Sequence, residues 1–168
     1  MTTLMLVRHG QTVDNRNQVL QGQTQGELDE KGLEQARQLA CQLEREKIDV
    51  FMSSDLKRAF DTCAVIAGRH GARVITTPLL RERDWGGFTG RFIPDIQKEV
   101  WPDDVETMGQ MKERARQFLR MLRSGYDGKT VLAVGHGIIN KVIQSVYYGK
   151  PPHEIPKMGN AEVRILQL

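Results

Sequence analysis

Two segments far apart in the chain share one pattern. Residues 4–10 read LMLVRHG and residues 131–137 read VLAVGHG, each an apolar run that ends in a His-Gly pair. In parallel α/β sheets, ligands bind outside the carboxyl ends of the strands, near the point where strand order reverses. His9 and His136 are therefore expected to share one crevice. The glycine after each lets backbone approach a bound group closely, and Arg8 adds a fixed positive charge beside the first histidine.

A histidine pair admits two chemistries. One is a metal site completed by a carboxylate. The chain has neither HxH nor HExxH, and Arg8 would set a cation against the metal. The other is an anion site, because guanidinium and imidazoles converging at a sheet edge suit the equatorial oxygens of a phosphoryl group. Neutral imidazole is also a competent nucleophile at neutral pH and can take the phosphoryl group covalently. Such a reaction calls for a second arginine and for an acid that protonates the leaving alkoxide. Arg58, within SSDLKRAFDT after one strand and at the opening of a helix, suits the first role. Glu82, at the end of PLLRE and just before a glycine-rich stretch, suits the second.

Four segments in this order resemble the histidine phosphatase superfamily, also called the phosphoglycerate mutase-like superfamily. LVRHGQT with Asn15 is similar to its RHGxTxxN motif, and SSDLKRAFDT to its SSxLxRAxxT element. LRERDWGGFTG is similar to LxExxxGxxxG, and VGHG matches the second-histidine motif. The resemblance implies that His9 is the nucleophile that becomes phosphohistidine and that Glu82 is the proton donor. It implies further that Arg8, Arg58 and His136 complete the phosphate pocket and that Asn15 contacts phosphate or nearby substrate. No metal or organic cofactor is implied. The implied activity is phosphomonoester hydrolysis on a small phosphorylated metabolite. The alternatives are a phosphoglycerate mutase and a non-catalytic phosphate-binding module. Mutases of the family carry longer insertions and tails than the short stretch that follows the glycine element here. The chain departs from the family at Thr89, where a glutamate is frequent, and at Glu27-Leu28-Asp29, where Pro-Leu-Thr is usual. Both departures border the expected substrate entrance and bear on specificity.

The elements that must carry these residues alternate short apolar runs with longer amphipathic ones, the mark of an α/β fold. The expected architecture has three layers: a mostly parallel central sheet flanked by helices, with a small irregular cap over residues 86–106. Strands are expected at residues 3–7, 49–53, 73–76 and 130–134, with the tail AEVRILQL as a last, edge strand. Residues 11–28 are polar and aperiodic and read as a long functional loop. Asp29 should cap a helix that buries Leu33, Ala36, Ala40 and Leu43. Ser54 or Asp55 should cap a second helix with Ala59, Cys63, Ile66 and Ala67 inward, and Thr107 a third with Met111, Ala115, Phe118 and Leu122 inward. A fourth helix follows over residues 138–148.

At 168 residues the chain matches one compact domain, residues 1–168, and its 39% hydrophobic content exceeds that of disordered chains. Lys and Arg number 24 against 21 Asp and Glu, and the interspersed charges leave no basic tail for nucleic acid and no stripe for a membrane. No apolar run is long enough to span a bilayer, and the start is unlike a signal peptide, so a cytoplasmic location is expected. Cys41 and Cys63, without a CxxC, read as small buried hydrophobes. His70 and His153 read as surface residues, and Trp85, Phe88, Phe92 and Trp101 as a cap cluster that lines a substrate mouth or forms a satellite core.

Overall fold

The computed structural model describes residues 1–168. Five strands form its centre: β1 (Thr3–Arg8), β2 (Val50–Ser53), β3 (Val74–Thr76), β4 (Thr130–Gly135) and β5 (Val163–Gln167). Their order is β3-β2-β4-β1-β5. All pairings are parallel except β1 with β5, so the tail strand lies antiparallel at an edge. The helices are α1 (Val13–Arg16), α2 (Glu30–Gln42), α3 (Lys57–Gly68), α4 (Ile93–Ile96), α5 (Met108–Gly125) and α6 (Gly137–Tyr148).

The continuous apolar runs have a physical reason. Successive side chains of a strand point to opposite faces, and here both faces are covered. Leu4, Leu6, Val131 and Ala133 pack with α5 and α6 on one side, whereas Met5, Val7, Leu132 and Val134 pack with α2 and α3 on the other. A run that alternated apolar with polar would leave one of these helix layers without a partner surface.

The helix starts follow their capping chemistry closely. Asp29 accepts from Gly32 N at the start of α2, and Thr107 with Gln110 forms a reciprocal capping box at α5. At α3 the expectation fails. Its N-cap is Leu56, with no side-chain cap, while Ser54 and Asp55 are engaged elsewhere. In α2 the buried stripe is Gly32, Ala36, Leu39 and Ala40. Leu33 is only half-buried, and Cys41, one residue off the stripe, is exposed, while Cys63 is buried as expected. The polar stretch 11–28 is not wholly irregular, since it holds α1 and a bridge from Thr12 to Leu28. In the stretch 86–106 the chain forms a 3-10 turn and α4, and a bridge ties Phe92 to Val19. No helix is long and apolar enough to cross a membrane.

Candidate active site

Strand register brings the two His-Gly pairs together. β1 and β4 are neighbours with Arg8 opposite Gly135, and His9 N donates to Gly135 O at 3.1 Å. The two imidazole centroids are 5.0 Å apart, edge to face. His9 is 2% exposed and His136 is fully buried. His9, Arg8, Arg58, Asn15 and Glu82 all line one cavity of about 580 Å³, and the buried His136 ring packs against that of His9.

The ring nitrogens have assignable roles. His9 Nδ1 lies 2.7 Å from Gly10 O; a carbonyl only accepts, so Nδ1 carries the proton and Nε2 keeps its lone pair. His136 Nε2 lies 2.7 Å from Ser54 Oγ. That hydroxyl oxygen also accepts from Leu56 N at 3.3 Å and has no other acceptor for its own hydrogen. Donation from Ser54 to Nε2 satisfies the buried hydroxyl and puts the imidazole proton on Nδ1. His136 Nδ1 has no hydrogen-bond partner within the protein, and neither have Arg8 Nε and Arg58 Nε.

Burial, and after it the nearby Arg58, holds His9 far below the usual imidazole value, at about 3. Burial followed by Arg58 and His9 lowers His136 well below 6.5. Both rings are neutral at pH 7, which suits a nucleophile. Burial also lowers Arg8, and lowers Arg58 to about 10, so both guanidinium groups keep their charge at pH 7.

Each side chain is held by a specific contact. Arg8 Nη1 donates to Met158 O at 2.7 Å. Arg58 donates through Nη2 to Gly22 O at 2.7 Å and through Nη1 to Thr24 O and Gln25 O, which anchors the 22–25 loop to α3. Asn15 Oδ1 accepts from Thr12 N at 3.1 Å in the capping box of α1. Glu82 closes the first turn of α6. Its Oε1 accepts from Ile139 N at 3.1 Å and Arg83 N at 2.9 Å, and its Oε2 from Ile138 N at 3.0 Å.

Several supporting residues lie outside the set expected from the sequence. Thr62 accepts from Gly10 N at 3.1 Å and so fixes the turn after β1 to α3. Asn160 Nδ2 donates to His9 O at 3.0 Å. Arg114, ion-paired with Glu106 at 2.7 Å, donates to Arg81 O at 2.8 Å and steadies the segment that presents Glu82. Lys141 and Lys157 also line the cavity. Thr62 was visible as the last residue of SSDLKRAFDT; the others become neighbours only through the fold. Gly10 and Gly32 pass so closely that a Cβ on Gly32 would lie 2.0 Å from Gln11 O, so the α2 amino terminus can abut the loop only without a side chain there.

The remaining candidates divide. Trp85 lines the cavity and pairs edge to face with Trp101 at 5.2 Å, with the Arg83 guanidinium over both rings. Phe88 is buried and Phe92 is exposed, so the four aromatic residues form no common core. His153 is exposed, and His70 is half-buried with its ring 4.9 Å from that of Phe51. No three His, Cys, Asp or Glu side chains come together in a group that could hold a metal ion.

Comparison with known proteins places this arrangement. The model of the histidine phosphatase superfamily (branch 1) matches residues 4–168. The chain belongs to this superfamily. Among curated superfamily members, a metal-independent phosphoserine phosphatase of Arabidopsis thaliana is 32% identical over 100% of this chain and 77% of its own. A probable phosphoglycerate mutase of Yersinia enterocolitica is 31% identical over 91% of this chain and 78% of its own. Among solved structures, a mycobacterial glucosyl-3-phosphoglycerate phosphatase in complex with VO3 superposes with a TM-score of 0.90 at 27% identity, over 98% of this chain and 92% of that one.

Proposed function

We propose that this chain is a metal-independent phosphomonoester hydrolase acting through a phosphohistidine on a small phosphorylated metabolite. The observation that carries the reading is the set of three buried, unpartnered donors on Arg8, Arg58 and His136 grouped about His9. A buried donor left unpaired costs about 1–3 kcal/mol, and a phosphoryl group supplies acceptors for all three. The relatives' activities support hydrolysis, and the metal-independent phosphoserine phosphatase supports a reaction without metal.

In the first step His9 Nε2 attacks phosphorus in line, and the bond to the ester oxygen breaks. Arg8, Arg58, His136 Nδ1 and Asn15 hold the phosphoryl oxygens. Glu82 protonates the departing alkoxide. Its Oε2 accepts one backbone N–H where Oε1 accepts two, so Oε2 has the spare lone pair on which an acidic proton can reside. In the second step water attacks the phosphohistidine and yields its proton to Glu82, which releases inorganic phosphate and restores both groups. The cavity volume of about 580 Å³ is in the range of small-molecule sites.

The test is phosphate release from a panel of monoesters in EDTA, with wild type and His9→Ala side by side. EDTA-resistant release is expected, with a loss of at least about a thousandfold in His9→Ala. Loss of wild-type turnover in EDTA, or more than a few per cent residual turnover in His9→Ala, overturns the proposal. Isomerisation of a phosphoglycerate without net release of phosphate would establish the mutase reading, which the Yersinia relative favours.

A further inference from the structure

The Arg8 guanidinium makes one hydrogen bond within the protein, from Nη1 to Met158 O at 2.7 Å, and its Nε is buried without a partner. Its aim therefore depends on where residues 156–158 place that carbonyl. These residues lie between α6 and β5, outside any helix or strand. Their backbone carbonyls have no ladder to join, so side chains must hold them.

Arg164 on β5 does so. Its Nη1 donates to Pro156 O at 2.7 Å and its Nη2 to Lys157 O at 3.3 Å. Three successive carbonyls are thus held by two guanidinium groups, the first two by Arg164 and the third by Arg8. Arg164 is itself fixed from two sides, because Nε donates to Glu162 Oε2 at 2.7 Å and Nη1 also donates to Gln144 Oε1 on α6 at 3.0 Å. Gln144 is buried and oriented by its own bond to Asn140 O at 3.0 Å. Glu162 Oε1 accepts from Gly159 N at 3.0 Å and closes the loop from its far end. The backbone of Arg8 and His9 is held separately: Ala161 N donates to Arg8 O at 2.9 Å and Asn160 Nδ2 to His9 O at 3.0 Å. The reach of Arg164 is therefore to the Arg8 side chain.

We propose that Arg164 is a positioning residue for the Arg8 guanidinium, acting through the carbonyls of residues 156–158 without touching substrate. This deepens the hydrolase reading above and rests on it. The geometry calls for arginine in particular. A planar fork reaches two carbonyls, an amide and a carboxylate at once, whereas lysine offers three donors on one compact charge. A phosphoryl-binding group misplaced by about 1 Å costs up to about a hundredfold in rate, which sets the scale of the effect.

The test is a double-mutant cycle over Arg8→Met and Arg164→Met, read as kcat/KM on p-nitrophenyl phosphate and as affinity for orthovanadate, with folding checked by circular dichroism. Arg164→Met alone is expected to lose about ten- to a hundredfold in both readings. In the Arg8→Met background the same substitution should change kcat/KM by less than about twofold, because the group it positions is gone. Arg164→Lys keeps the charge beside Glu162 and carries the same cycle should Arg164→Met not fold; it is expected to recover only part of the loss. Wild-type vanadate affinity in folded Arg164→Met overturns the proposal. So does a loss that recurs in full in the Arg8→Met background, the result of a merely structural role, and so does wild-type behaviour of Arg164→Lys. If wild type turns over no ester, the hydrolase reading falls, and the vanadate affinities alone decide whether Arg164 positions Arg8.

Discussion

Replacing His9 with Asn removes a titrating group of similar size, and the structure sets the consequence for acid stability. In the folded chain His9 is held at about 3 against an ordinary 6.5, with burial as the main cause. Below pH 6.5 the unfolded chain takes up a proton at this position and the folded chain does not, so acidification favours unfolding until about pH 3. The stability contributed by neutral His9 is thus present above 6.5 and is lost as pH falls. The slope approaches about 1.4 kcal/mol per unit, which amounts to about 2 kcal/mol between pH 7.5 and 5.0. His136 adds a loss of the same sign. Wild type should therefore lose about 2 kcal/mol more than His9→Asn over this interval. Carboxylates with lowered values, Asp29 and Asp55, titrate below this window and are common to both proteins. Urea unfolding followed by circular dichroism at pH 7.5 and 5.0 measures the difference. Equal losses in the two proteins would refute the claim that His9 is buried in neutral form.

Two further outcomes follow from single contacts. Ser54→Ala removes the hydroxyl 2.7 Å from His136 Nε2; nitrogen-15 NMR should show the ring leaving the Nδ1–H form, and vanadate affinity should fall about tenfold, whereas an unchanged tautomer would sink the assignment. Gly32→Ala lies in a helix, where alanine ordinarily stabilises by about 1 kcal/mol, yet its Cβ would meet Gln11 O at 2.0 Å. A net loss of about 1–3 kcal/mol is expected from the urea midpoint, and a stabilised variant would show that the loop yields freely.

Much of the site was legible along the chain because its parts lie at element ends. A strand covered on both faces writes a continuous apolar run, and the residue after that run faces the crevice, which is how His9 and His136 could be paired at a distance. The α2 and α5 caps were equally local, since a cap bonds within three residues of itself. The α3 start shows the limit. Ser54 is of the right type to cap that helix, yet α3 starts two residues later, with Leu56 as its N-cap, and the Ser54 hydroxyl turns to His136, 82 residues away, because β2 lies beside β4 in the sheet. Cys41 was misplaced for a lesser reason: the α2 stripe is set by which residues meet α3, and one step of about 100° carries the thiol to solvent.

By itself, then, the sequence determined the layered fold, the residues able to do chemistry and the strand ends that carry them, because these depend on local periodicity and on neighbours a few residues apart. Tertiary structure alone decided the imidazole tautomers, the depressed basicity of both histidines, the grip of Arg58 on the 22–25 loop and the approach of Lys141 and Lys157 to one cavity. Each of these is a matter of burial or of a contact across the chain, and the desolvation and distance that govern them exist only once the sheet has set its strands side by side.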